Sequence, residues 1–192
     1  MRITSFLKLF LFFVMSISNT QAVEVSVDMI SGGGVDPLLY ADIGTSFDVD
    51  IILGSTLGLA GFEFDLDFNS SMLVATAITS GNLLALPVLT LEKNISVGSI
   101  ELAQATAIPF SGVDITSPSV LATVSFDIIG SGSDFLTLNN VFLTNSFSSS
   151  IIPVDLSHGE LRVSAVPSPG VLVLMLSGIG LLRLQRKDYI TG

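Results

Sequence analysis

The sequence predicts an all-β chain, an antiparallel sandwich of about eight to nine strands set between two apolar targeting segments. Three observations carry this reading. Between Val23 and Val163, short segments alternate apolar and polar residues with a period of two, the pattern of a sheet with one buried face. Gly, Pro, Asn and Ser interrupt these segments as turns do. No helical period occurs in the stretch, so the apolar faces must be covered by another sheet.

The elements follow in order. Strands are expected at Val23 to Met29, Ser46 to Leu53, Ala60 to Phe68, Val88 to Leu91, Ser99 to Thr106, Val120 to Ile128, Phe135 to Leu143 and Gly159 to Ser164. The clearest places Phe62, Phe64, Leu66 and Phe68 on a core face and Glu63, Asp65 and Asp67 on a wet one. Phe47, Val49, Ile51 and Leu53 repeat the device against Asp48 and Asp50, as do Ala122, Val124, Phe126 and Ile128 against Thr123, Ser125 and Asp127.

Composition narrows the chemistry. The chain has no Cys and a single His, His158, which excludes thiol nucleophiles, disulfides, iron–sulfur ligation and clustered-imidazole zinc sites. From Val23 to Val166 there are sixteen acidic residues and two basic ones, Lys93 and Arg162, a net charge of −14. Such a surface repels phosphate chains, so nucleic acid and anionic lipid are not expected partners of this domain.

The ends read as targeting material. Residues 1–22 carry Arg2 and Lys8, then the apolar run Leu9 to Met15, then Thr20-Gln21-Ala22; this is the order of a secretory signal peptide with cleavage after Ala22. At the other end, 18 uncharged residues run from Ala165 to Leu182 and are closed by Arg183-Leu184-Gln185-Arg186-Lys187. That length spans a membrane when the flanking basic side chains snorkel. The basic cluster favours a cytoplasmic end, which leaves the β domain outside.

The tail resembles the PEP-CTERM sorting signal. The matching residues are Val166, Pro167, Ser168 and Pro169, then Val171 to Leu182, then Arg183, Arg186 and Lys187; Ser168 stands where that family usually has Glu. The resemblance implies a sorting anchor over 165–187 with a short tail at 188–192, and an exosortase-like processing enzyme as a partner. It further implies transient anchoring in the inner membrane of a Gram-negative bacterium that makes exopolysaccharide, then delivery to the cell surface, outer envelope or extracellular matrix.

A second resemblance covers residues 23–164. Phe47-Asp48-Val49-Asp50-Ile51, Leu59 to Asn69 with its Gly61-Phe62-Glu63-Phe64-Asp65-Leu66-Asp67-Phe68 core, Met72-Leu73, and Val120 to Phe126 look like a cohesin-type domain, related to carbohydrate-binding-module sandwiches. It implies a jelly-roll sandwich. Cohesins of cellulosomes bind dockerins and related modules bind polysaccharide, but architecture alone does not name the partner.

The site readings are spare. Glu63, Asp65 and Asp67 form a candidate acidic or calcium patch, spaced about 7 Å per step along a strand, and calcium is the only cofactor entertained. His158 reads as a surface-turn residue; a triad with Asp155 would need a Ser at a strand–helix elbow, and no G-x-S-x-G occurs. The loop Gly32-Gly33-Gly34-Val35-Asp36-Pro37 reads as a turn. Phe110, Phe142 and Phe147 are placed where exposure is open to them. No catalytic residue is expected. The functional expectation is a non-enzymatic exported surface or matrix protein. The alternatives are a binding module for extracellular polysaccharide or a dockerin-like partner, and a simple single-pass membrane-anchored periplasmic protein.

Overall fold

The computed structural model describes residues 22–152 and 154–165. The leader preceding Ala22 and the sorting segment, with Val166, Pro167, Ser168, Pro169, Arg183, Arg186 and Lys187, lie outside the described residues. Among the described residues there are twelve strands and no helix. They are β1 (Val23–Asp28), β2 (Leu38–Asp42), β3 (Ser46–Leu53), β4 (Thr56–Asp67), β5 (Leu73–Ser80) and β6 (Val88–Ser96). They continue with β7 (Ser99–Thr106), β8 (Val113–Ile115), β9 (Ser119–Ile128), β10 (Gly132–Asn145), β11 (Val154–Ser157) and β12 (Gly159–Ser164).

Two sheets face each other. The smaller has the order β11-β1-β3-β9-β5, the larger β2-β12-β10-β4-β7-β6 with β8 paired to β4. The alternating residues do as their spacing demands. Val49, Ile51 and Leu53 of β3 and Ala122, Val124, Phe126 and Ile128 of β9 are buried against Phe62, Phe64 and Leu66 of β4. Phe126 anchors this layer, with Phe47 stacked on it at 5.6 Å and Phe68 edge-on at 5.1 Å between ring centroids. Each such pair adds about 0.5–1.5 kcal/mol to the burial of its rings.

Four expectations need correction. The strand count is twelve rather than eight to nine, because β2, β5, β8 and β11 lack a clean alternation of their own. Two pairings are parallel, β1 with β11 and β12 with β2, so the sheets are antiparallel only in their interiors. Val88–Ser96 runs past Leu91, because β6 is an edge strand on which Glu92 and Lys93, pointing to opposite faces, both stay exposed. The fourth difference concerns Asp50, expected on a wet face: it does point outward from the smaller sheet, yet it is buried, because residues 30–36 fold across it.

Candidate functional site

The strand registers assemble an acidic face from residues far apart in sequence. On the outer side of the larger sheet, Glu92, Ala103, Glu63 and Phe142 lie in one row across β6, β7, β4 and β10. The next row is Asn94, Glu101, Asp65 and Asn139, and the one beyond it Ser96, Ser99, Asp67 and Thr137. The predicted stripe Glu63, Asp65 and Asp67 is therefore the centre of a five-carboxylate patch completed by Glu92 and Glu101. Glu101 lies on the expected strand Ser99 to Thr106, but its place beside Asp65 is set by the strand register; Glu92 lies one residue past the expected strand Val88 to Leu91.

Asparagines hold this patch in place. A bulge in β10 lets two successive amides reach β4: Asn140 Nδ2 donates to Asp65 Oδ2 at 2.5 Å and Asn139 Nδ2 to Asp67 Oδ2 at 2.7 Å. Asn140 adopts a φ of 48°, a left-handed conformation that Asn tolerates better than most residues. Asn94 Nδ2 likewise donates to Glu101 Oε2 at 3.0 Å. Glu92 has its carboxyl raised above the ordinary 4.5, first by the charge of Glu101, then by desolvation and by Glu63 and Asp65. Glu92 therefore stands in a repulsive field set mainly by Glu101.

The floor of the face is shallow. Ala103, Ala105 and Gly61 lie side by side, and a Cβ at Gly61 would sit 2.7 Å from Thr144 Oγ1 and 3.1 Å from the Gln104 carbonyl. Gly is thus required there, and it keeps the centre flat. Exposed Leu89, Phe142, Phe135 and Tyr40 supply apolar surface around it. Arg162 ion-pairs with Glu160 at 2.7 Å and lies 5.8 Å over the Tyr40 ring, so its charge is used locally. A flat surface with clustered carboxylates and an apolar rim suits a partner that presents basic and apolar side chains. Among the described residues no three His, Cys, Asp or Glu side chains converge as a metal site.

The other sequence-predicted residues lie elsewhere. His158 is exposed in the turn between β11 and β12, and its Nδ1 accepts a hydrogen bond from the Leu138 amide at 3.1 Å. That is the nitrogen a triad carboxylate would have to engage. Asp155 sits on β11 beside Glu24 of β1. Phe110 and Phe147 are exposed, at 79% and 74%, with their rings 6.3 Å apart and tilted by 56°. They make an apolar corner, not a flat platform on which a sugar ring would stack. Phe142 is exposed on the acidic face.

No family model matches the chain, and no curated protein matches it. Solved structures do. The non-cellulosomal cohesin of the archaeon Archaeoglobus fulgidus superposes with a TM-score of 0.59 at 15% identity, over 79% of this chain and 96% of that one. A type I cohesin–dockerin complex from Clostridium thermocellum gives 0.59 at 14%, over 76% and 95%. The sixth cohesin of scaffoldin B of Acetivibrio cellulolyticus, solved in complex with a dockerin mutant, gives 0.57 at 15%, over 75% and 100%. The fold is therefore the cohesin-like sandwich.

Proposed function

We propose that the chain is a non-catalytic protein-binding module of the cell envelope, which docks a partner polypeptide on the outer face of its larger sheet. The observation that carries this reading is the five-carboxylate face itself, flat at Gly61, Ala103 and Ala105 and rimmed by exposed aromatic and aliphatic side chains. Cohesins of the same fold have been solved with dockerins seated on them, which supports a protein rather than a glycan as partner. The partner's contact surface carries Lys or Arg, since complementary charge speeds encounter and rejects acidic competitors.

Location follows from the ends. The leader through Ala22 exports the chain, the segment 165–187 holds it at the inner membrane, and an exosortase-like enzyme acts near Pro167 to Gly170 to pass the domain to the surface or matrix. The test is expression in the native host with a tag after Ala22, with and without residues 167–187, combined with Glu63→Lys and Asp65→Lys on the face. A mature form shortened at the tail and a co-purifying partner lost in the charge reversals are expected. A permanently full-length membrane species would refute the sorting step, and partner capture unchanged by the reversals would refute the docking face.

A further inference from the structure

The loops at one end of the larger sheet are apolar. Leu57, Leu86, Ile108, Phe110 and Phe147 are all exposed there, Leu57 at 74% and Leu86 at 78%. Backbone contacts gather them from separate parts of the chain. The Gly58 carbonyl accepts from the Ser146 amide at 3.0 Å and the Pro87 carbonyl from the Ala107 amide at 2.8 Å. No side chain fits at Gly112, because its Cβ would meet the Gly58 backbone. The Phe110 and Phe147 rings then lie 6.3 Å apart. A register shift between Thr56 and Leu59, where β4 meets β8, leaves Leu57 and Gly58 outside the ladder. Phe110 has a φ of 57°, a left-handed backbone that a bulky residue enters only at a cost, so the fold bears strain to hold an aromatic ring in water.

Charge sets this end apart from the rest of the domain. No Asp, Glu, Lys or Arg occurs in residues 51–62, 68–91, 102–113 or 135–154, although the stretch from Val23 to Val166 carries a net charge of −14. Asp114, next after these loops, has its Oδ1 held by the Gly58 amide at 2.8 Å. Two copies of so acidic a domain repel through the faces that bear carboxylates, and they meet without that repulsion at this end. The five side chains expose on the order of 600 Å² of apolar surface, near the roughly 800 Å² that each partner of a stable complex covers. Neutral serines beside them, Ser111, Ser148 and Ser149, extend the patch without adding charge. The chain leaves from the opposite end. Val163 of β12 pairs with Gly132, whereas Phe147 follows Asn145 at the other terminus of β10, about 40 Å away along that strand.

We propose that this apolar end is a contact between two copies of the chain, which meet tip to tip through Leu57, Leu86, Ile108, Phe110 and Phe147. A two-fold contact asks for one self-complementary patch, and a charge-free apolar tip is complementary to itself. With the tips together, the acidic faces stay free and the two Ala165 ends point apart. That arrangement joins chains held on two different surfaces, or links them within a matrix, rather than neighbours on one surface. It does not depend on the docking reading, whose face lies on the side of the larger sheet and not at its end.

The full chain in mild detergent is followed by sedimentation velocity over a hundredfold range of concentration, beside the double variant Phe110→Asn with Phe147→Ser. Asn accepts a left-handed backbone, so this variant should melt no lower than wild type. A reversible monomer–dimer equilibrium in the micromolar range is expected. NaCl should strengthen it, because salt screens the net charge of two acidic domains while no ion pair is lost. The double variant should dimerise at least tenfold more weakly, and Glu63→Lys with Asp65→Lys should still dimerise. Since the chain has no Cys, a thiol introduced by Ser149→Cys at the tip is unique, and mild oxidation of intact host cells should link two copies through it. Ser70→Cys, in the turn after β4 at the other end, should not cross-link. The proposal is overturned if the double variant dimerises as well as wild type or if Ser70→Cys links as readily as Ser149→Cys. A wild type that stays monomeric throughout also overturns it, and leaves the tip to a different protein or to lipid.

Discussion

The two outer faces of the sandwich carry the same residue types under opposite conditions. On the larger sheet Glu63, Asp67 and Glu92 stand in water, with amides tethering Asp65, Asp67 and Glu101, on a surface that stays open. On the smaller sheet Asp28 and Asp50 lie beneath a loop and are held by backbone amides and hydroxyls. Exposed carboxylates cost little and act outward, as recognition. Enclosed ones cost stability unless each oxygen is satisfied, and they act inward, as structure.

Mutations sharpen this contrast, beginning with the wall that the two faces share. Phe64, 1% exposed between the sheets, should cost about 3–5 kcal/mol when replaced by Ala, read as a lower midpoint in a urea melt. Thr123→Val comes next. It removes the hydroxyl from Asp50 Oδ1 while keeping the shape, so about 1–3 kcal/mol should be lost in the same urea melt. The matching change on the open face, Asp65→Asn, should stay within about 0.5 kcal/mol of wild type in the same melt. If the two lose equally, the faces are not different in kind.

Glu92→Gln is the smallest effect and the most diagnostic in sign. The folded carboxyl titrates above its ordinary 4.5, chiefly because Glu101 is near, so the fold prefers it protonated. The stabilisation is complete below the ordinary value and is lost as pH rises through the raised one. At neutral pH the variant should therefore melt slightly above wild type, most clearly at low salt, and the gap should close as pH falls toward 4.5. A gap that widens on acidification would contradict the repulsive field.

Much of this was legible in the residues. Strands β3, β7 and β12 fall where alternation placed them, and the core faces of Phe62 to Phe68 and of Ala122 to Ile128 are the buried ones. Here one-residue periodicity is decided by local chemistry, so a single chain suffices. What escaped depends on register and on loops. The short strands β2, β8 and β11 exist only because a neighbour offers its edge. The meeting of Glu92 with Glu63 needs the β6–β7–β4 register, and the burial of Asp50 needs the fold-back of a glycine-rich loop that alternation does not describe. The stripe Glu63, Asp65 and Asp67 was visible; its completion by distant acids was not.

The most direct measurement places a photoreactive amino acid at Phe142, exposed on the open face beside Glu63, and at Ile52, beside the covered carboxylates, in the full chain within its native host. Illumination should yield an adduct with a partner polypeptide from Phe142, diminished by Glu63→Lys, and none from Ile52. Adducts from both positions, or from Ile52 alone, would contradict the assignment of recognition to the larger sheet.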